Sequence, residues 1–266
     1  MFYSIHTMKI HQIFFHNSLR NFCYLISFDN GALYCIDPFD AGVVIQYLKT
    51  NLNRRSLTGI INTHDHCDHF SGNEELFEMY TCDVMAHPSA EIPKKNKNLL
   101  DQEVIYQNKE WSLKSVYTPG HTMTHLCVVL EKENSSYAVF TGDCFFNAGV
   151  GNCHNGGDPK TLYKTITHFF GDLDDDVLIY PGHEYLKRNL EFTQKYEPTN
   201  REAGKFLEKI KTINLDEVFF VNPMSLERKI NTFLRLDNEN LLVNLDMKTN
   251  NQEHVFLKLR ELRNSW

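Results

Sequence analysis

Short runs of aromatic and β-branched residues at 9–16 (KIHQIFFH), 21–28 (NFCYLISF) and 32–37 (ALYCID), parted by Asn-Ser and Asn-Gly turn signals, predict three consecutive antiparallel strands. Asp40 stands where it can cap a following helix whose Val44, Tyr47 and Leu48 share one buried face. The apolar run at 57–62 predicts a strand, Ser71 to Tyr80 a helix, and Asp83 to His87 another buried strand. Residues 88–110 are charged, contain Pro88 and Pro93 and carry little periodicity, so the expectation there is mostly irregular chain. The strand pattern resumes at 111–117, 126–131 and 137–141, and again at 177–180 after a helix near 160–170. Strands thus come in two blocks, each followed by helix. That order predicts two sheets between helical layers, an αββα sandwich of the α+β class rather than a doubly wound sheet.

From about Leu186 the pattern changes. Windows 199–212, 224–236 and 252–263 carry helix formers with apolar residues three and four apart, and Pro198 and Pro223 lie near their starts. We therefore expect two domains: 1–185, mixed and acidic, and 186–266, small, helical and mildly basic. The chain shows no internal repeat and no low-complexity segment.

Composition narrows the class. With 266 residues, of which 42% are hydrophobic, a sizeable core is within reach. A net charge of −7 without a dominant basic patch argues against nucleic acid as a partner. Seven scattered cysteines without a C-x-x-C pair argue against a disulfide framework and for a reducing compartment. No apolar stretch is long enough to span a membrane, and the first residues lack the order of a secretory signal. Met1 to Thr7 read as a short extension before Met8, too poor in arginine for a transit peptide. The expectation is a cytoplasmic protein with no membrane partner, a monomer or weak oligomer.

The densest chemistry is in Thr63-His64-Asp65-His66-Cys67-Asp68-His69. If this stretch continues the preceding strand, His64, His66 and Asp68 share one face, Asp65 and Cys67 the other, and His69 needs a turn to join the first group. Three further segments repeat the context of a polar residue directly after a β-like run: Thr118-Pro119-Gly120-His121-Thr122, Thr141-Gly142-Asp143 and Pro181-Gly182-His183-Glu184. Together they offer the imidazoles of His64, His66, His69, His121 and His183 and the carboxylates of Asp68 and Asp143. One ion takes three or four protein ligands, so this donor set suits two divalent ions. A carboxylate can bridge two ions and an imidazole cannot. His64, His66 and His121 are therefore expected at the first ion, Asp68, His69 and His183 at the second, and Asp143 across both. Such a pair acidifies a shared water and polarises a carbonyl, chemistry suited to hydrolysis of an acyl or phosphoryl bond. Asp68 and Asp143 are the expected catalytic carboxylates, Asp68 orienting that water. Thr63 and Asp65 either orient the imidazoles or serve as turn residues. Zinc is the first expectation, with iron or manganese also suited to such ligands.

The order T-H-x-H-x-D-H followed by single His, Asp and His resembles the metallo-β-lactamase superfamily over residues 9–185. That resemblance implies the four-layer αββα fold. Pro-Gly-His-Glu-Tyr at 181–185 before a helical C-terminal domain is similar to the glyoxalase II (hydroxyacylglutathione hydrolase) family. Membership would imply hydrolysis of S-D-lactoylglutathione to D-lactate and glutathione on a binuclear centre, the second step of methylglyoxal detoxification. The partner implied is a small-molecule glutathione thioester. The resemblance also implies substrate contacts from Tyr185 and, one helical turn apart near the end of the chain, from Arg260 and Arg263; Asn222-Pro223 matches the family's Asn-Pro turn.

One segment departs from the family. Gly149-Val150-Gly151 keeps a Gly-x-Gly, but Asn152 stands where the family has a cation and His154 where it has an aromatic residue, which bears on how the glycine end of glutathione is held. Cys67 and Cys144 flank ligands but read as small packing residues, and His11, His16, His87, His125, His168 and His254 as surface or core. Two other functions fit parts of the pattern: a persulfide dioxygenase-like enzyme with one iron, and a glutathione-conjugate binding protein with little turnover.

Overall fold

A computed structural model describes residues 8–248 and 251–266, so the extension expected at Met1 to Thr7 lies outside the described residues. Its first sheet takes the chain in order: β1 (Lys9–Phe14), β2 (Phe22–Ser27), β3 (Leu33–Ile36), β4 (Gly59–Ile61), β5 (Asp83–Ala86) and β6 (Lys97–Asn98). The first three pair antiparallel, as the turn signals predict, and β3 to β6 run parallel. Two helices cross between the parallel strands, α1 (Ala41–Asn51) and α2 (Asn73–Tyr80). Asp40 caps α1 by accepting from the Val43 amide at 3.2 Å.

The second sheet contains β7 (Val104–Gln107), β8 (Trp111–Tyr117), β9 (Leu126–Lys132), β10 (Ser135–Gly142), β13 (Leu178–Pro181) and β14 (Asn222–Pro223), in the order β14-β13-β10-β9-β8-β7. Between β10 and β13 lie a small hairpin, β11 (Phe145–Phe146) and β12 (Gly149–Val150), and the helix α3 (Pro159–Thr165), which runs on as a π-helical turn through Phe170.

Alternation along the strands builds the layers. In β2, Leu25 and Cys23 pack with Val44, Ile45 and Leu48 of α1, while Tyr24 and Ile26 face the other way, onto Leu113, Val128 and Phe140 of the second sheet. The outer face of that second sheet buries Val129, Val139 and Ile179 against Leu162, Ile166 and Phe170. A strand covered on both faces is apolar at every position, which is why β2 is buried throughout. The result is the αββα sandwich predicted from the sequence.

Residues 88–110 are mostly irregular, as expected, but contain β6 and β7. Both are short edge strands with one solvated side, so neither shows the alternation of an interior strand. Leu99 and Tyr106 anchor the stretch in the core, and Lys95 donates to the carbonyls of His87, Pro88 and Ala90.

After β13 come α4 (Leu186–Tyr196), α5 (Arg201–Ile210), α6 (Met224–Ile230), α7 (Glu239–Asn244) and α8 (Gln252–Asn264). Phe192, Met224, Phe233 and Phe256 of this region complete the same core as Val129 and Ile179, and β14 extends the second sheet. The helices therefore close one face of the sandwich and carry their side chains to its edge. Among the described residues, no helix is long and apolar enough to cross a membrane.

Candidate metal centre

Strands β8, β10 and β13 point the same way in the second sheet, because β13 is parallel to β10 and β9 is antiparallel to both β10 and β8. Their carboxyl ends release His121, Asp143 and His183 along one edge. The first sheet delivers the heptapeptide to the same edge from β4. Main-chain bonds from Leu126 to Thr63 (2.7 Å), from Gly182 to Gly142 (2.8 Å) and from Phe22 to Gly182 (2.8 Å) lock these loops together.

Extended backbone does not run through Asp68, as assumed from the sequence. A single 3-10 turn spans Cys67–His69, so Asp68 and His69 leave it as neighbours and the exposed Cys67 points away. Asn62 holds that turn: its amide donates to the His69 carbonyl at 2.9 Å and its own oxygen accepts from Asn73 at 2.7 Å.

Among the described residues three groups of donors result: His64, His66 and His121 converge in one, Asp68, His69 and His183 in another, and Asp37 joins His64 and His69 in a third that shares its imidazoles with the first two. Asp143 reaches the first two, with Oδ2 at 3.6 Å from His121 Nε2 and 3.2 Å from His183 Nε2, and Oδ1 at 3.4 Å from His69 Nε2. Asp68 lies 3.6 Å from His69 and 3.5 Å from His183.

The far nitrogen of each ring decides what the near one presents. His183 Nδ1 donates to the Leu19 carbonyl (2.8 Å), His121 Nδ1 to that of Asn152 (2.7 Å) and His66 Nε2 to that of Asn155 (3.0 Å). His69 Nδ1 donates to Asp37 (3.0 Å) and His64 Nδ1 to the Thr63 hydroxyl (2.9 Å), which passes its own proton to Asp37 at 2.6 Å. With those nitrogens protonated, the neutral rings turn lone pairs inward. His64 Nε2 and His121 Nε2 each stand 3.0 Å from His66 Nδ1, and His69 Nε2 stands 3.2 Å from His183 Nε2. Lone pairs that close repel unless a cation sits among them. The Oδ1 atom of Asp143 is also buried without a hydrogen-bond donor. The donor set thus fits divalent metal binding.

The electrostatics agree. Burial, then the surrounding imidazoles, hold the His64 pKa well below its ordinary value. Burial likewise lowers His121 to about 4. At His69 burial also disfavours charge, but Asp143, Asp37 and Asp68 outweigh it and carry the pKa up to about 10. A proton and a metal ion therefore compete for the same place. Asp143 is held far below the usual carboxylate range against its burial, first by His183 and His69.

Asp37 and Asn21 escaped the sequence reading. Asp37 spends both oxygens on the Thr63 amide, the Thr63 hydroxyl and His69, so it orients ligands rather than binding metal. It directly follows β3, the same strand-end signal that singled out His121 and Asp143. Asn21 steadies Asp68 with amide bonds of 2.9 Å to Oδ2 and 3.1 Å to the main-chain oxygen, and no motif announces it. Asp65 touches no imidazole and accepts from Thr124 at 2.7 Å. His125 is buried and stacks on His64 with centroids 5.2 Å apart. Glu184 pairs with Arg20 at 2.9 Å, clamping the loop that carries Leu19 and Asn21.

Beside the centre lies a cavity of about 190 Å³, lined in part by Tyr185, Asn152, His154, Arg260 and Arg263. Tyr185 stacks flat on His183 and so joins the cavity to the centre. Arg260 is only 4% exposed and donates four hydrogen bonds, to the Val150 and Gly151 carbonyls at 3.0 and 2.9 Å and to Asn264 at 3.2 and 3.0 Å. Arg263 donates one, to Asn189 at 3.1 Å. The segment 149–157 that departs from the family touches the centre through main-chain oxygens of Asn152 and Asn155. The side chains of Asn152 and Asn155 can therefore vary without removing those two contacts, whereas Gly151 packs against His121 and cannot.

Comparisons with known proteins agree with this geometry. Residues 18–183 match the metallo-beta-lactamase superfamily and residues 184–266 the hydroxyacylglutathione hydrolase C-terminus. Curated proteins called hydroxyacylglutathione hydrolase from Nitrosococcus oceani and Polaromonas sp. are 41% and 37% identical, each alignment covering 97% of this chain and 100% of the relative. Among solved structures, ETHE1 from Myxococcus xanthus shares the fold with a TM-score of 0.60 and 24% identity, over 84% of this chain and 96% of that one. With similarity running through both the metal-bearing sandwich and the helices that follow it, the chain belongs to the hydroxyacylglutathione hydrolase family of the metallo-beta-lactamase superfamily.

Proposed function

We infer that this protein is a metal-dependent thioester hydrolase that converts S-D-lactoylglutathione and water to D-lactate and glutathione, the second step of methylglyoxal detoxification. The observation that carries the reading is the convergence of five imidazoles and two carboxylates at one sandwich edge, in a chain whose relatives share that family name over their whole length. His64, His66 and His121 would hold one divalent ion, Asp68, His69 and His183 a second, and Asp143 would span them. Support for two ions rather than the single iron of a dioxygenase comes from the inward-turned lone pairs gathering as two groups instead of one. When bound, the ions supply Lewis acidity toward the thioester carbonyl and lower the pKa of a coordinated water to about 7. Zinc is our first assignment, with iron or manganese as alternatives.

The chain's own residues do the rest. Asn21 fixes Asp68, whose carboxylate faces the second group and can orient the attacking water by accepting its proton. Asp37 and the carbonyls of Leu19, Asn152 and Asn155 fix the imidazole tautomers, so no reorganisation is needed as charge develops. Tyr185 and the arginine-lined cavity seat the thiol carrier next to His183. The departing thiol, with an ordinary pKa of about 8.5, needs no strong general acid.

The test is hydrolysis of S-D-lactoylglutathione by metal-loaded protein, followed by release of free thiol. Turnover at a rate typical of enzymes supports the reading. Tight binding of the thioester without thiol release would make the protein a glutathione-conjugate binder instead.

A further inference from the structure

Arg20, in the turn between β1 and β2, has left-handed backbone with φ at +62°. In a non-glycine residue such backbone persists where its surroundings over-determine it. Here both the main chain and the guanidinium are held. The Arg20 amide donates to Asn17 Oδ1 at 2.6 Å, and its carbonyl accepts from the Glu184 amide at 2.9 Å. Nε and Nη2 donate to Glu184 Oε2 at 3.1 and 2.9 Å. Nε also reaches the Glu184 carbonyl at 3.1 Å, Nη2 that of Leu215 at 2.8 Å, and Nη1 the Asp216 carboxylate at 2.6 Å. The β1–β2 turn, the end of β13 and the segment between α5 and β14 thus meet at one guanidinium.

The neighbours on either side of Arg20 face the second donor group. Leu19 accepts from His183 Nδ1 at 2.8 Å, and Asn21 donates to Asp68 Oδ2 at 2.9 Å. Asn21 also pairs with His183 in an isolated antiparallel bridge. Two of the three ligands in that group therefore take orienting bonds from residues 19 and 21. The first group takes none from this turn: His64 leans on Thr63, His66 on Asn155 and His121 on Asn152. Without the guanidinium, the Glu184 carboxylate, 8% exposed, would keep among the described residues the Leu186 amide at 3.2 Å alone. A buried charge so short of donors has to find water or another partner, and Glu184 is joined directly to His183.

We propose that Arg20 is a positioning residue for the second ion of the centre: through Leu19, Asn21 and Glu184 it holds His183 and Asp68 in the geometry that binds that ion. The assignment rests on the reading above of Asp68, His69 and His183 as the ligands of one ion. Because the first group draws nothing from this turn, the effect falls on one ion and not on both. A lysine keeps the charge beside Glu184 but lacks the planar fork that reaches Leu215 and Asp216 at once.

In the experiment, zinc-loaded wild-type protein, Arg20→Ala and Arg20→Lys are stripped with rising concentrations of a chelator of known affinity, and the zinc kept per chain is counted. The release step that Asn21→Ala or His183→Ala moves more marks the second ion. In Arg20→Ala that step should shift to about tenfold weaker binding, the low end of what losing an orienting partner costs, with the other step within about twofold of wild type. Arg20→Lys should fall between Arg20→Ala and wild type, and it carries the test alone if the alanine variant does not fold. Arg235→Ala, which breaks the ion pair with buried Glu197 just after α4, controls for general destabilisation and should move neither step. A loss shared equally by both steps, or a shift in neither, overturns the role of Arg20 and leaves the hydrolase reading standing. Wild-type protein that releases a single zinc per chain overturns the two-ion reading and this proposal with it.

Discussion

The ring of Tyr185 lies on that of His183 with centroids 5.0 Å apart and planes 2° from parallel. Phe146 meets the Tyr185 ring edge-on at 5.2 Å. A residue on the cavity wall thus braces a residue of the second donor group. Tyr185→Phe keeps the stack and removes the hydroxyl, so it should raise KM by up to about tenfold with metal content unchanged. Tyr185→Ala removes the brace too and should lower metal content as well, measurable by metal analysis beside steady-state kinetics. Equal behaviour of the two variants would separate Tyr185 from the metal centre.

Asp37 is the hub behind two imidazoles. Losing such an orienting partner typically costs about 10- to 100-fold in metal affinity or activity. We expect Asp37→Ala to fall in that range when titrated against a chelator of known affinity. Unchanged affinity would mean that the bonds to Thr63 and His69 do not orient the ligands.

Gly151 gives a steric test. A Cβ there would run into the main-chain oxygen of Asp143 and come within 3.0 Å of His121 Nδ1, whereas one at Gly171 meets nothing closer than 3.8 Å. Gly151→Ala should therefore lose roughly 1–3 kcal/mol of stability, while Gly171→Ala should stay near wild type. Thermal unfolding of the two variants side by side would show it.

Much of this could be read from the chain, for a physical reason. His121, Asp143 and His183 each follow an apolar run, and a strand end is a local feature. The sandwich was legible because β2, β9 and β10 are covered on both faces and carry no polar alternation. Other features depend on partners distant in sequence. Asn21 reaches Asp68 across 47 positions, and Phe192 of α4 packs in one core with Val116 of β8, Val139 of β10 and Phe256 of α8. The short strands β6 and β7 could not be placed within the mostly irregular stretch 88–110, because an edge strand with one wet face looks like loop. Arg20 showed no motif at all; only folding brings it to Glu184 and Asp216.

Glu227 makes stability depend on pH. It is fully buried, accepts from Asn222 at 2.7 Å and from the Ala148 amide at 2.8 Å, and burial raises its pKa from 4.5 to about 7. Below about 4.5 the carboxyl is protonated in both folded and unfolded chains. Between about 4.5 and 7 the folded chain holds the proton that the unfolded one releases, so this group's contribution falls as pH rises, levelling off at a loss of about 3 kcal/mol. Glu227→Gln cannot ionise. Its stability relative to wild type should climb by up to that amount between pH 4 and 8 in urea unfolding, whereas a constant difference would mean that Glu227 ionises normally.

The most direct test is the metal content of protein loaded with zinc and freed of excess, in wild type and in His183→Ala. Two ions per chain in wild type, falling to one or fewer in the variant with loss of S-D-lactoylglutathione hydrolysis, is the predicted result. One ion per chain at full activity, or full activity retained by His183→Ala, would contradict it.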